Sequence, residues 1–137
     1  MLLSSAHFEV QVVAARKDVD SADIGFCHIA PVTSSSVAPG ESTKARKHEY
    51  EPLLFRRAFT NDSYLFDWRR HIVDGESDLR DVSIRVYSDS SRSHGTELRL
   101  RECWPVRWSG PTLDAIEGGV AYEEIELAFN ELIWVRG

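Results

Sequence analysis

The sequence predicts a mainly β fold: a two-sheet β-barrel or sandwich with one flanking α-helix at about residues 62–74 and a long loop at about residues 33–47. Apolar and polar residues alternate in several separate segments, one segment has helical periodicity, and one stretch is rich in Ser, Thr, Gly and Pro. At 137 residues, 42% of them hydrophobic, the chain is long enough to bury a core. We expect a single domain over residues 1–137.

The N-terminal third contains two strand-like segments and the long loop. Residues 7–14 alternate between apolar and polar side chains, and an apolar segment at residues 24–32 follows a polar turn, which favours a hairpin. Residues 33–47 read TSSSVAPGESTKARK. Loops of this length in a compact domain are usually disordered or functional. Two interpretations stay open: a surface insertion, or a segment that becomes ordered against a neighbouring subunit.

A strand and the helix come next. Apolar side chains on both faces of residues 48–59 indicate a strand that is covered on two sides. In the helical segment Leu65 and Trp68 recur three residues apart, Asp62 is a candidate N-cap, and Gly75 stands where a left-handed residue ends a helix. One amphipathic helix among strands should pack one face on a sheet or barrel.

The second half continues as strands. Residues 82–86 and 98–108 alternate on either side of a polar turn at residues 88–95, which is a β-hairpin pattern. Glu102 falls on the otherwise apolar side of the second segment, so its carboxylate needs a partner, a bulge or solvent. The same parity predicts that Trp104 and Trp108 lie on one face.

Two tryptophans four residues apart on a strand are separated by about 13 Å, too far to hold one ligand between them, so we expect core packing. The last long strand is predicted at residues 120–129. The apolar tail at residues 132–135 is expected to pair with a strand of this chain or of another.

Charge and cysteine content limit the function classes. The net charge of −6, with a pI near 5.3, disfavours ordinary nucleic-acid binding. Cys27 and Cys103 are too few for a disulfide framework or a zinc site, which favours folding in a reducing compartment, although a single bridge between them stays open. The N-terminus lacks a signal-peptide pattern and no apolar segment approaches the length of a membrane span, so we expect no membrane insertion.

The common signatures of catalysis and cofactor binding are missing from the sequence. The five histidines have no metal-site spacing, and the GxSxG, GxxxxGK[ST] and GxGxxG patterns do not occur. Glu123 and Glu124 point to opposite faces of a strand, so they cannot form a two-carboxylate site, and a solvated strand face is the better interpretation. We therefore expect no enzyme, no cofactor and no metal.

A series of short segments in the second half resembles a known family. In order they read FRRAF from Phe55, DW, DG, CWPVRWSGP from Cys103, LDA and YEEIEL from Tyr122. Over roughly residues 48–132 their order and spacing resemble the tail tube proteins of contractile-tailed phages and of phage-like contractile injection systems. The WPVRWSGP block before the last long strand is the most specific element, and the first third matches in outline.

The resemblance implies a two-sheet β-barrel with one helix, six copies in a ring, and rings stacked into a hollow tube inside a contractile sheath. The implied partners are copies of this chain, a sheath protein, baseplate and tube-terminating proteins, and DNA or protein cargo in the lumen. Assembly in the cytoplasm would yield a phage tail or an extracellular or cell-associated injection particle. The alternatives are a specialised tube-initiating subunit at the baseplate and a monomeric β-barrel binding module.

Two sets of candidate residues accompany this interpretation. The family motif implies a core set: Trp68, Trp104, Pro105, Trp108 and Glu126. The charged residues of the 33–47 loop are the candidates for contact with an adjacent ring or subunit: Glu41, Lys44, Arg46 and Lys47. The acidic balance also suggests a lumen that is on average negative, so that cargo slides without adhering.

Overall fold

A computed structural model describes residues 3–35, 49–88 and 91–136. Its fold consists of two antiparallel sheets that share one long strand, together with a separate two-stranded sheet. The elements in chain order are β1 (Leu3–Ala14), β2 (Ala22–Ile24), β3 (His28–Ile29), β4 (Ser34–Ser35), β5 (Glu49–Tyr50), β6 (Leu53–Ala58), α1 (Tyr64–Val73), β7 (Arg80–Ser88), β8 (Ser91–Ser109), β9 (Tyr122–Ala128) and β10 (Glu131–Arg136). The predicted mainly β fold with one flanking helix is confirmed for the described residues.

The strands follow the order β2-β1-β7-β8-β9-β6-β3, and β10 also pairs with β8. The first sheet contains β2, β1, β7, β10 and the N-terminal part of β8, while the second contains the C-terminal part of β8 with β9, β6 and β3. Because β2 and β3 end this path, the described strands do not close into a barrel. The structure has more strands than the sequence predicted, mainly because short strands form before residue 51.

Strand β8 is 19 residues long and belongs to both sheets. The predicted turn at residues 88–95 is wrong for residues 91–95, because the β7–β8 ladder continues to the pair Ser88 and Ser91. Gly95 lies opposite Tyr87, where a Cβ atom would stand 2.6 Å from the carbonyl oxygen of Val86. Only glycine permits this close approach of the two strands.

Glu102 occupies a β-bulge in the middle of β8. Its φ is 57°, and its backbone N–H donates to Asp81 Oδ1 at 3.0 Å, where the register between β7 and β8 shifts. The extra residue leaves the Glu102 side chain exposed while Leu100 and Cys103 both remain buried. The bulge therefore resolves the predicted conflict of a carboxylate on an apolar strand face.

The hydrophobic core lies between the two sheets and under the helix. Its most deeply buried apolar side chains include Leu53, Phe55, Leu65, Trp68, Val82, Leu100, Ile125 and Leu127. Alternate residues of β6 and β9 contribute to it, as the period of two requires. Leu54 on the other face of β6 is half-buried, so the predicted two-sided cover of this strand is incomplete.

The helix α1 begins two residues later than predicted, at Tyr64. Asp62 is not the N-cap residue, but its Oδ1 atom accepts the backbone N–H of Tyr64 at 2.9 Å and so satisfies one of the free donors of the first turn. At the other end Gly75 has a φ of 82°, and its N–H bonds to the carbonyl of Ile72 at 3.0 Å. This left-handed residue ends the helix as its sequence position predicted.

The N-terminal third differs in detail from its prediction. The hairpin of β1 and β2 forms, but the expected strand at residues 24–32 is divided, because the chain leaves the first sheet after Ile24 and enters the second at His28. Between them Phe26 is buried, with its ring centroid 5.0 Å from that of Phe55. The crossing thus fastens the two sheets together.

The predicted loop at residues 33–47 begins with a short ladder in which Ser34 and Ser35 pair with Tyr50 and Glu49. The rest of the predicted loop lies outside the described residues. The apolar C-terminal tail was expected to pair with a strand of this chain or of another chain. The first alternative holds, because the tail forms β10, which pairs with β8 of the same chain.

Candidate assembly surfaces

A buried ionic cluster positions the most specific part of the sequence motif. Arg57 Nε donates to Glu123 Oε1 at 2.6 Å, and Trp108 Nε1 donates to the other carboxylate oxygen at 2.7 Å. Arg57 also donates to the side chain and the carbonyl of Asp62, at 3.3 and 3.1 Å. Strands β6, β8 and β9 are thereby joined to the segment that begins the helix. The solvated position expected for Glu123 is wrong, since only 2% of this residue is exposed.

A second buried cluster holds the helix against the start of β7. Asp78 accepts two hydrogen bonds from Arg80, at 3.0 and 2.7 Å, and lies 2.6 Å from Nδ1 of His71, while its carbonyl accepts the Trp68 indole N–H at 2.8 Å. The Arg80 guanidinium lies 4.6 Å from the centroid of the Trp68 ring and 4.9 Å from that of Tyr64. Burial alone would raise the pKa of Asp78, but its hydrogen bonds to Arg80 and His71 outweigh burial and hold that pKa below its usual value.

Both clusters bring acidic and basic side chains together, and each carboxylate is bonded to structural partners, although Arg80 Nη1 is buried without a hydrogen-bond partner among the described residues. A general acid or base needs a group that can reach a reacting atom, and these carboxylates are instead fully engaged inside the protein. Within residues 3–35, 49–88 and 91–136 no group of three or more His, Cys, Asp or Glu side chains is placed to hold a metal ion. The described part of the chain has no helix that is long and apolar enough to cross a membrane.

A ladder of paired charges covers the outer face of the second sheet. Glu124 Oε2 accepts from Arg56 at 2.9 Å, and Glu126 Oε1 accepts from Arg107 at 3.0 Å. The hydrogen bond from Arg56 is the main reason that the pKa of Glu124 is lowered. The Arg56 guanidinium also lies 5.6 Å from the centroid of the Tyr122 ring. Each arginine on this face is thus neutralised by a neighbouring glutamate.

The predicted motif residues separate into inner and outer positions. Trp68 and Pro105 are buried, and the half-buried Trp108 packs against the core, where its ring centroid lies 5.0 Å from that of Phe66. The half-buried Trp104 and Glu126 lie on the other face of the second sheet. The expectation that Trp104 and Trp108 share a face is wrong.

The reason is a second bulge in β8. Pro105 pairs with Leu127 and Arg107 with Glu126, so Val106 is an extra residue that reverses the parity between the tryptophans. The carbonyl of Pro105 accepts from Arg69 Nη1 of the helix at 3.1 Å, which ties α1 to this irregular point. The other predicted set, Glu41, Lys44, Arg46 and Lys47, lies outside the described residues, and the structure does not place it relative to the motif.

Residues 110–121 form the loop between β8 and β9 that the pairs Gly110-Pro111 and Gly118-Gly119 predict, but sequence inspection did not single out its exposed apolar side chains. Leu113, Ile116 and Val120 are 83%, 94% and 66% exposed. The loop is held by its own backbone, because Asp114 Oδ1 accepts the N–H groups of Ile116 at 2.9 Å and Glu117 at 3.2 Å. These bonds lower the pKa of Asp114. The sequence signal was available in the apolar residues that stand among Gly and Pro.

The second apolar surface is a groove of about 620 Å³ between the edge strand β3 and the inner face of the first sheet. Its lining includes Ile29, Leu98, Leu132 and Trp134, with Cys27 at one side. Trp134 is 66% exposed. Such a groove beside an exposed indole is unusual on a protein that works as an isolated monomer.

The described part of the chain is an open pair of β-sheets with large apolar surfaces left uncovered, which is typical of a protein that binds partners through these surfaces. The comparisons with known proteins identify the class as tail tube proteins. Residues 5–133 match the model of the T4-like virus tail tube protein gp19, and the chain belongs to this family. No curated protein matches the chain in sequence.

Solved structures show the same fold. A chain of the anti-feeding prophage baseplate has a TM-score of 0.72 and 18% identity, with 99% of this chain and 97% of that chain covered. A chain of the extended sheath–tube complex of PVC, an extracellular contractile injection system, has a TM-score of 0.72 and 16% identity, covering 99% and 93%. Hcp1 from Flavobacterium johnsoniae has a TM-score of 0.59 and 14% identity, covering 94% and 96%.

Proposed function

We propose that this chain is the structural subunit of the inner tube of a contractile tail or injection system. Six copies form a ring, and rings stack into a hollow conduit for DNA or protein cargo inside a sheath. The single observation that carries the proposal is the match of residues 5–133 to a tail tube family, which spans nearly the whole chain. The chain would act as one domain over residues 1–137.

The sources of the similar structures support the choice of partners. They include a 6-fold symmetrised baseplate, a sheath–tube complex and a tube-terminating cap. By analogy, the proposed partners of this chain are its own copies, a sheath protein, and baseplate and terminating proteins. The particle would assemble in the cytoplasm and act as part of a virion tail or of an extracellular or cell-associated injection device.

The geometry is suited to assembly and not to catalysis. Strand β10 pairs with β8 on one side, and its other edge offers six residues of backbone to a neighbouring strand within the described part of the chain. Edge strands of this kind can extend a sheet from one subunit to the next. The buried carboxylates serve as structural ion-pair partners, so we propose a protein without catalytic activity or cofactor.

The lumen of the proposed conduit is negative on average, so that cargo slides through it without adhering. The outer face of the second sheet pairs Arg56 with Glu124 and Arg107 with Glu126, which leaves little free positive charge for phosphate groups. The net charge of −6 acts in the same direction. A tube structure with a strongly basic lumen would contradict this part of the proposal.

The 33–47 loop is proposed to contact the adjacent ring through Glu41, Lys44, Arg46 and Lys47. A stack of rings requires a heterologous contact that propagates without closing. Deletion of residues 35–45 should prevent the growth of long tubes while the subunit still folds, as judged by circular dichroism and negative-stain microscopy. Tubes of normal length from the deletion variant would contradict this role.

Size-exclusion chromatography and negative-stain microscopy of the purified protein test the main proposal. We expect rings or tubes at micromolar concentration, with six-fold class averages in end-on views. A stable monomer at all concentrations would contradict a tube subunit and favour the alternative of a β-barrel binding module that uses the 620 Å³ groove.

A specialised subunit that initiates the tube at the baseplate is the second candidate, because the anti-feeding prophage relative comes from a baseplate. Co-expression with the sheath and baseplate proteins separates the two roles. A main tube protein should be found along the whole particle by immunogold labelling, and an initiating subunit at one end.

A further inference from the structure

The exposed loop at residues 110–121 and the apolar groove lie on different sides of the second sheet. Ser109 pairs with Glu124, Glu124 with Arg56, and Arg56 with His28, so these four residues form one row across the sheet. The loop begins directly after Ser109, whereas His28 lines the groove. Three strand spacings, roughly 14 Å, separate these two ends of the row. In the subunit itself Ile116 is 94% exposed and does not fill the groove.

We propose that the 110–121 loop of one copy inserts Leu113 and Ile116 into the apolar groove of the next copy. This inference rests on the proposed self-assembly and assigns one of its contacts. Because the loop and the groove are different surfaces, the contact is heterologous, and each copy offers a loop to one neighbour and a groove to another. Such a contact repeats around a ring or along a stack.

Size and shape favour this occupant. A cavity of about 150 Å³ holds a benzene-sized group, and the groove of about 620 Å³ has room for several apolar side chains. The loop presents its side chains on a defined backbone, since Asp114 binds two of its N–H groups and Gly118 and Gly119 adopt left-handed φ values of 67° and 107°. Little loop entropy is then lost on binding.

Charge complementarity supports a second copy over an unrelated apolar ligand. The loop carries the acidic side chains of Asp114 and Glu117 beside its apolar residues. His28 lines the groove, and the exposed Arg136 lies two residues after the lining residue Trp134, on the same face of β10. None of these four side chains forms an ion pair with another described residue. The acidic side chains of the loop would thus lie near Arg136 at the rim of the contact.

A natural cysteine makes the proposed contact directly testable. Cys27 lines the groove and is an exposed free thiol, whereas Cys103 is buried, which raises the pKa of its thiol and keeps it unreactive. In an Ile116→Cys variant, diamide would take two electrons and two protons from Cys27 of one copy and the introduced thiol of the adjacent copy, and a disulfide would form between them. We expect a ladder of covalent oligomers on non-reducing gels under conditions where the wild-type protein assembles.

The ladder should be absent from the wild type and from the double variant Ile116→Cys, Cys27→Ser. If wild-type protein forms tubes but the Ile116→Cys variant gives no ladder, the inference is wrong while the proposed function stands. That result is also the one expected if residues 36–48 of the same chain, or a different protein, cover the groove. Failure of the wild type to assemble contradicts the inference together with the proposed function.

Assembly measurements provide a second, independent test. Ile116→Ser and Trp134→Ser should each raise the concentration needed for assembly roughly tenfold or more, as expected for apolar anchors of an interface. Val73→Ser is the matched control, because Val73 is 62% exposed at the end of the helix and outside both surfaces. Equal assembly of Ile116→Ser and Val73→Ser would overturn the inference.

Discussion

Arg57 and Glu123 form an ion pair that is 6% and 2% exposed, with 2.6 Å between Nε and Oε1. The pair lies next to the motif tryptophan Trp108, which donates to the same carboxylate. Buried charges are costly unless each is matched and hydrogen-bonded. The second sheet of this protein is therefore built around an ionic centre whose members cannot be replaced singly.

Replacement of Glu123 by Gln should destabilise the subunit by about 3 kcal/mol, because the amide keeps the shape but leaves the Arg57 charge poorly compensated. Urea unfolding at a concentration below assembly measures the change. Glu126→Gln is the control, since this half-buried carboxylate pairs with Arg107 at the surface and should cost less than about 1 kcal/mol. Equal effects of the two substitutions would contradict the distinction.

The Asp78 cluster should make stability depend on acid pH. The pKa of Asp78 is lowered in the folded protein, so its contribution is complete above the unfolded carboxyl pKa of about 3.9 and is lost as pH falls through the lower, folded value. We expect Asp78→Asn to destabilise the protein by about 3 kcal/mol at pH 6. The difference from wild type should shrink in urea titrations toward pH 3. A difference that stays constant would argue against this linkage.

Gly75 should tolerate alanine poorly although nothing crowds it. A Cβ atom there has open space, but the φ of 82° is a left-handed conformation that costs L-residues about 1 kcal/mol. Gly25→Ala is the matched control, because Gly25 also has open space and no left-handed φ. Thermal unfolding should show a lower midpoint for Gly75→Ala alone, and similar midpoints for the two variants would contradict the explanation.

The two cysteines should react very differently. The native protein should titrate close to one thiol per chain with a disulfide reagent, because Cys27 is exposed while Cys103 is fully buried and its pKa is raised by burial. Denaturant should release the second thiol. Two rapidly reacting thiols in the folded protein would mean that the β8 region around Cys103 opens readily.

The sequence predicted the helix and the strands whose apolar and polar residues alternate strictly. It did so because the periodicity of a segment depends on which of its own side chains are buried. Strand β9 and helix α1 are examples, each within about two residues of its predicted bounds. The predictions failed where β8 is irregular. The bulges at Glu102 and Val106 change side-chain parity through one extra residue each. A carboxylate on an apolar face indicated the first bulge as one of three alternatives, whereas nothing in the local sequence indicates the second.

The candidate surfaces were harder to predict for a different reason. Trp134 and Leu98 are distant in the chain and meet only because β10 returns to β8. The burial of Glu123 likewise depends on Arg57 from a strand far away in the sequence. Pairing over such separations is a property of topology, which composition and periodicity do not contain.

Strand β8 has a mechanical consequence. Because one uninterrupted backbone passes through both sheets, a load applied to either sheet reaches the other through covalent bonds and not only through side-chain packing. A conduit wall made of such units would resist sudden compression as a single shell, with the bulges as the points where it bends.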